Sequence, residues 1–197
     1  MNKLTIYKNY ISQLGLHMPL SANIDIILMI LGLKPAIRSK IKQPDNFKFI
    51  KDWCDEWSFS SYMDKDSYIY VARNASLVKQ LIELDHLAQK REDKLGMLLG
   101  YPSCCCKKIA KIGEEHIDNY EQNLCQKNFK AFFRLINPQK YRKGTAFISH
   151  VPCSTTCFAS LFIAQQLGLF VLKNQKHSVL YGWVEELETV YKEILCQ

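Results

Sequence analysis

The stretch LGYPSCCCKKIAK, residues 99–111, places three consecutive cysteines directly behind a Tyr-Pro pair. Proline suits the first turn of a helix but not its interior, because it has no backbone N–H to donate. The stretch therefore predicts a helix that begins at Pro102 or Ser103, ends near Gly113 and carries its cysteines in the first turn.

The segment HVPCSTTC, residues 150–157, repeats this arrangement of a proline followed by a cysteine and hydroxyl residues. It predicts a second helix that begins near Pro152 and ends at Gly168, with Cys153 and Cys157 on one face because they are four residues apart. The partial positive charge and free N–H groups of a helix N-terminus favour a thiolate over a thiol.

The two segments together predict one site, although 47 residues separate Cys105 from Cys153. If the two helix starts face each other, four sulfurs converge as metal ligands: Cys104, Cys105, Cys153 and Cys157. Tyr101 and Lys107, which flank the first motif, are the candidate residues for contacting a cofactor.

The spacing bears on the identity of the metal. Structural zinc usually takes Cys-x2–4-Cys pairs, which Cys153 and Cys157 match but the adjacent Cys104 and Cys105 do not. Two adjacent cysteines suit a cluster that offers separate irons, and the pattern resembles in style the ligation in sulfonucleotide reductases and heterodisulfide reductases. We therefore expect an iron–sulfur cluster, with zinc as the alternative, in redox or sulfur-transfer chemistry on a small, anionic substrate.

A metal-free thiol enzyme for acyl or amide chemistry is the second hypothesis. Cys105 or Cys104 would be the nucleophile and His150 the base, with Asn174 as the nearest residue to orient that base. This hypothesis leaves Cys153 and Cys157 without a role.

The remaining cysteines have simpler interpretations. Eight cysteines in a chain predicted to be cytoplasmic favour metal or redox work over disulfides. Cys54, Cys125 and Cys196 are predicted to be buried thiols. Cys106 is ambiguous, because consecutive helical residues point about 100° apart and the three neighbours do not all face one site.

The composition is ordinary for a globular protein, with 48% hydrophobic and 23% charged residues. Its most apolar run, residues 24–33, is shorter than the ~20 residues that a membrane span needs, so we expect no membrane partner. The pattern predicts an α+β, mostly helical fold in a single compact domain with a small sheet. We expect a helical N-terminal part over 1–60 and a Cys-motif core over 65–197.

The strand candidates are residues 67–72 and 145–151, with shorter ones at 169–172 and 178–183. Helices are predicted over 21–33, 44–57, from 76, over 117–136, and at the C-terminus from 184.

The net charge of +7 permits an anionic partner. The segment 127–144 interleaves phenylalanines with lysines and arginines and contains no acidic residue. Such a segment suits contacts with phosphates and stacking on nucleobases. A nucleic-acid-binding module with structural zinc is therefore a third hypothesis, although an amphipathic helix with a solvated basic face is the favoured interpretation. The bases concerned are Lys127, Lys130, Arg134, Lys140, Arg142 and Lys143.

The paired segments LLGYPSCC and HVPCSTTC resemble the signature of a domain family of unknown function in archaea and bacteria. That signature joins a Gly-Tyr-Pro-x-Cys-Cys segment to a later Pro-Cys-x3-Cys segment. The matching residues are Gly100, Tyr101, Pro102, Cys104, Cys105, Pro152, Cys153 and Cys157. The resemblance implies that the four cysteines act together and implies no particular activity; Cys106 stands where the family has an apolar residue.

Overall fold

The computed structural model describes residues 2–15, 17–41, 43–87, 92–126 and 131–195. Within these ranges the chain is mostly helical with one three-stranded antiparallel sheet, which confirms the predicted fold class. The chain divides into two compact units, Met1–Tyr101 (unit 1) and Pro102–Gln197 (unit 2). The division lies at the Tyr-Pro pair. The helical N-terminal part over 1–60 and the Cys-motif core over 65–197 stay a prediction. None of the helices in the described ranges is long and apolar enough to cross a membrane.

Unit 1 combines helices with the sheet. Its helices are α1 (Lys3–Leu14), α2 (Leu20–Leu31), α3 (Phe47–Glu56), α4 (Ala75–Asp85) and α5 (Glu92–Leu98). Its strands are β1 (Ala36–Lys40), β2 (Ser60–Met63) and β3 (Tyr68–Ala72), in the order β1-β3-β2.

The central strand β3 confirms the strand predicted over 67–72. It pairs antiparallel with both neighbours, so Tyr70 stands opposite Arg38 on β1 and Tyr62 on β2. Tyr70 is fully buried in a cluster with Val78 and Leu81 of α4. The β-branched and aromatic residues of this strand therefore pack under a helix, as their propensity suggests.

A buried ion pair fixes the end of α2. Lys34 and Asp25 are 3% and 1% exposed, and the Lys34 ammonium donates to the Asp25 carboxylate. Burial opposes the charge on Lys34, but Asp25 and Tyr101 outweigh it and raise the Lys34 pKa. The ammonium also lies 4.6 Å from the centre of the Tyr101 ring.

Gly100 of the first motif is required by the backbone of unit 1. Its φ of +82° lies in the left-handed region, and a Cβ there would stand 2.5 Å from the Pro35 side chain. Only glycine meets both demands without strain.

The regular elements of unit 2 within the described residues are all helical. Its helices are α6 (Ser103–Ile112), α7 (Ile117–Gln126), α8 (Ala131–Leu135), α9 (Phe158–Lys173) and α10 (Tyr181–Leu195), with 3₁₀ turns at Glu114–His116, Pro138–Lys143 and Ser178–Leu180. Helix α6 confirms the predicted helix behind the Tyr-Pro pair. Within the helix predicted over 117–136, α7 and α8 are helical as predicted, and residues 127–130 lie outside the described part of the chain.

The strands predicted in this unit are wrong. Residues 145–151 are irregular, and their apolar side chains Ala146, Phe147 and Ile148 are buried without a strand partner in the described part of unit 2. The indole N–H of Trp183 on α10 donates to the Ala146 carbonyl at 2.8 Å, so a side chain satisfies backbone that a neighbouring strand would otherwise pair.

The short strands predicted at 169–172 and 178–183 are helical instead. Gly168 does not end α9, because it is buried beside Leu187 of α10 and the helix continues to Lys173. Residues 178–183 form a 3₁₀ turn and the first turn of α10. Packing between helices thus overrides the local signals for a helix end and a strand.

Candidate metal centre

Helix α6 presents the first two cysteines. Pro102 precedes its first residue, Ser103, so Cys104 and Cys105 fall in the first turn as predicted. Cys104 is exposed, whereas Cys105 is only 2% exposed. Adjacent helical positions therefore give one sulfur at the surface and one in the interior.

The second pair is not placed as the spacing predicts. Residues 153–156 form a turn and α9 begins only at Phe158, so Cys153 and Cys157 do not share a helical face. Cys157 is the residue that caps α9, and its N–H donates to the Ser154 carbonyl at 3.3 Å. The turn folds Cys153 back towards Cys157, so the two sulfurs converge by a different route from the predicted one.

The four sulfurs nevertheless meet at one point. The Sγ atoms of Cys104, Cys105, Cys153 and Cys157 all lie within 4.8 Å of one another. The Cys105–Cys157 separation is 3.6 Å, the Cys104–Cys157 separation 3.8 Å and the Cys104–Cys105 separation 3.9 Å. The four cysteines chosen from the sequence are therefore placed to hold a metal ion.

Ser160 supports this cluster from one turn into α9. Its hydroxyl is completely buried and lies 3.2 Å from Cys157 Sγ and 3.5 Å from Cys105 Sγ. The same oxygen lies 2.8 Å from His150 Nε2. A hydroxyl has one proton, so when it donates to a thiolate it accepts from the imidazole, and that requires the Nε2–H form of His150.

Backbone groups complete the surroundings. The N–H of Cys153 donates to Cys105 Sγ at 3.3 Å, which supports a negative charge on a buried sulfur. The Tyr120 hydroxyl on α7 donates to the Cys153 carbonyl at 2.6 Å and holds the turn in place.

The thiols do not ionise alike. Burial raises the pKa of Cys157, but the Ser160 hydroxyl and amide, with the neighbouring thiols, outweigh it and lower the pKa to about 7. Burial and then the adjacent Cys157 and Cys104 thiols raise the pKa of Cys153 to about 11. Burial also raises the pKa of Cys105 well above its usual value. A bound cation would lower the raised pKa values of Cys105 and Cys153, because metal coordination deprotonates thiols.

The residues of the thiol-enzyme hypothesis are arranged differently from a nucleophile–base pair. Ser160 lies between His150 and Cys105 and hydrogen bonds with both. Asn174, the candidate orienting residue, caps the C-terminus of α9 and donates to the Phe170 carbonyl at 2.8 Å.

The two candidate cofactor contacts lie in different units. Tyr101 belongs to unit 1, where its ring contacts Lys34. Lys107 belongs to unit 2 and is exposed on α6, three residues after Cys104.

The other cysteines lie outside the four-sulfur set. Cys54 is fully buried in unit 1, as predicted, and Cys125 is half-buried with its thiol 3.4 Å from Asn137 Oδ1. Cys106 is buried on α6. Cys196 lies outside the described residues.

The basic segment gives limited support to a nucleic-acid interface. Arg134 pairs with Glu193 at 2.6 Å, and Lys140 pairs with Glu186, both acids of α10. Arg142 approaches Asp118 at 3.8 Å. Lys127 and Lys130 lie outside the described residues. Acids from other helices thus offset bases that look unopposed along the sequence.

Ser160 is the residue of the centre that sequence reasoning missed. It stands three residues after Cys157, which is a spacing that brings side chains together at a helix start. That relation would have identified Ser160 once Cys157 was recognised as the cap of α9.

Comparison of the chain with protein-family models, with curated proteins and with solved structures finds no match of any of the three kinds. The centre is therefore interpreted from its own geometry.

Proposed function

We propose that unit 2 is a zinc–thiolate domain. One zinc ion bound by the four cysteines stabilises its fold and takes part in sulfur-transfer chemistry. The observation that carries this proposal is the spacing of the sulfurs. Zinc–thiolate bonds are about 2.3 Å long, so four sulfurs at tetrahedral corners stand about 3.8 Å apart. The separations among the Cys104, Cys105 and Cys157 sulfurs, 3.6, 3.8 and 3.9 Å, match that edge, and the Cys153 sulfur lies within 4.8 Å of each.

An iron–sulfur cluster fits this spacing less well. Each thiolate of a four-iron cluster binds a different iron, so the sulfurs stand farther apart than ligands that share one ion. The adjacent Cys104 and Cys105, which led the sequence interpretation towards a cluster, have sulfurs only 3.9 Å apart. The iron–sulfur cluster stays a prediction, which the metal analysis below tests.

One ion at this point would join two distant parts of unit 2. It would tie the start of α6 to the turn before α9, across 47 intervening residues. A structural zinc site contributes its binding free energy to folding, because the unfolded chain has no preformed site.

The choice of zinc also narrows the chemistry. Zinc has no redox activity of its own but keeps a thiolate deprotonated at neutral pH. Of the redox and sulfur-transfer roles expected from the sequence, sulfur transfer is therefore the one that zinc supports. A small, anionic substrate is consistent with Lys107, which is exposed on α6 three residues after Cys104.

The metal-free thiol enzyme has weaker support. Its principal nucleophile, Cys105, is 2% exposed and burial raises its pKa, so it would be protonated at neutral pH without a metal.

Metal analysis of protein purified anaerobically tests the proposal. We expect one zinc per chain and no acid-labile sulfide, with X-ray absorption showing four sulfurs at about 2.3 Å. Cys105→Ser and Cys157→Ser should lose the ion, whereas Cys106→Ser, a buried neighbour outside the set, should keep it. Iron with sulfide would establish a cluster instead, and a metal-free protein with unchanged stability in Cys157→Ser would reject a metal centre altogether.

A further inference from the structure

The four sulfurs differ in their access to solvent. Cys105 and Cys157 are 2% and 4% exposed and Cys153 is half-buried, whereas Cys104 is exposed. An incoming molecule would therefore reach the metal most readily beside Cys104.

The protein also holds the sulfurs with unequal strength. Cys105 accepts the Cys153 N–H and lies beside the Ser160 hydroxyl, and Cys157 accepts that hydroxyl. The hydrogen bonds of the Cys104 and Cys153 sulfurs within the described residues are to other cysteine sulfurs. Hydrogen bonds from fixed donors orient a metal ligand and strengthen its hold, so Cys104 and Cys153 are less restrained than Cys105 and Cys157. Of these two, Cys104 is the one exposed to solvent.

We propose that Cys104 is the replaceable fourth ligand and that a small external thiol takes its place on the ion. This inference rests on the proposed zinc–thiolate site. It gives the centre the two features that separate catalytic from structural zinc, namely three fixed protein ligands and one exchangeable position.

The exchange is balanced without an oxidant or a reductant. The bond from Cys104 sulfur to the metal breaks and a bond from the external sulfur forms. The proton of the incoming thiol passes to the departing Cys104 thiolate, and no oxidation state changes. The external sulfur is then held as a thiolate, which is the nucleophilic form.

The surroundings of Cys104 favour a thiol that carries a negative charge. Lys107 is exposed three residues later on α6, a spacing that puts the two side chains on neighbouring parts of the helix surface. The N-terminus of α6 adds partial positive charge at the same end. A thiol with a carboxylate should therefore bind more tightly than a neutral one of similar size.

Cobalt-loaded protein provides the test, because thiolate coordination gives Co²⁺ a sulfur-to-metal charge-transfer band. We expect Cys104→Ala to keep one Co²⁺ per chain with a weaker band, and mercaptoacetate to restore that band. Cys157→Ala should lose the ion, and Cys106→Ala, on the same helix, should behave like the wild type. Lys107→Gln should weaken mercaptoacetate binding while leaving 2-mercaptoethanol binding unchanged.

Alkylation of the unmodified chain gives a second measurement that needs no variant to fold. In cobalt-loaded wild type, iodoacetamide should modify Cys104 before Cys105, Cys153 or Cys157, as read by peptide mass mapping. Equal rates at the four cysteines would overturn the inference. So would loss of the ion from Cys104→Ala as complete as from Cys157→Ala, or a band that no thiol restores.

These outcomes separate the two proposals. A wild type that binds no ion overturns the zinc–thiolate site and the inference with it. A wild type that binds one ion through four fixed, equally protected cysteines leaves the site in place and overturns only the exchange at Cys104.

Discussion

Removing the hydroxyl of Ser160 should weaken metal binding without changing any ligand. The hydroxyl is completely buried, and its oxygen lies 3.2 Å from Cys157 Sγ. Four thiolates around a divalent ion leave excess negative charge, which a buried donor stabilises. Ser160→Ala removes that donor and leaves the charge in an environment that water does not reach.

The magnitude follows from the chemistry of the lost contact. A hydrogen bond to a charged group contributes about 1.5–3 kcal/mol. Since about 1.4 kcal/mol corresponds to a tenfold change in an equilibrium constant, the dissociation constant should rise about 10- to 100-fold. Losses of this size are typical when the hydrogen-bond partner of a metal ligand is removed.

Competition for zinc with a chromophoric chelator at fixed pH measures the change. Ser178→Ala is a matched control, because Ser178 is an exposed serine in the same unit. A Ser160→Ala dissociation constant equal to that of the control would refute the role of the hydroxyl. Unfolding of the metal-free proteins would show whether a loss reflects packing rather than the ion.

The role of His150 can be separated by a double-mutant cycle. If the imidazole acts by orienting the Ser160 hydroxyl, His150→Ala should weaken zinc binding in the wild type but change little in a Ser160→Ala background. Equal effects in both backgrounds would mean that His150 acts on the centre by another route.

Three further predictions concern stability. Stripping the ion with a chelator should destabilise unit 2, by about 4 kcal/mol if free zinc had been a thousandfold above its dissociation constant. Urea unfolding followed by the fluorescence of the buried Trp183 measures this, and an unchanged midpoint would contradict it. Asp25→Ala leaves the Lys34 ammonium buried without its carboxylate and should cost about 3–5 kcal/mol in urea unfolding, whereas Ala at the exposed Asp52 should cost little. Burial opposes ionisation of Asp64, but backbone and side-chain donors outweigh it and lower the pKa of its carboxyl group. The ionised Asp64 therefore stabilises the folded state above the usual carboxyl pKa of about 3.9, and this stabilisation is lost as pH falls towards the lower folded value. Asp64→Asn should therefore flatten the loss of stability with acid below about pH 4, and an acid profile identical to the wild type would argue against this contribution.

The helical character of the chain and its central strand could be predicted because the local signals agree. Pro102 marks the start of α6, and the β-branched and aromatic run of residues 67–72 marks β3. The predictions failed where packing between distant elements decides the outcome. Gly168 suggests a helix end, but Leu187 packs beside it and the helix continues. Phe147 suggests a strand, but its segment is buried in an irregular conformation.

The candidate site divides in the same way. The sequence alone predicted a set of four cysteines and left Cys106 ambiguous, because thiols after a proline are a chemical pattern that can be recognised along the chain. Only the tertiary structure decided how they meet: Cys157 caps α9 rather than lying within it, and the turn before it brings Cys153 close to Cys104 and Cys105. The sulfur separations from Cys157 to Cys104 and Cys105, and the contact of Ser160 with Cys105, join residues more than 50 positions apart in the sequence. Such distances are set by the packing of remote elements against one another, which no local pattern along the chain specifies.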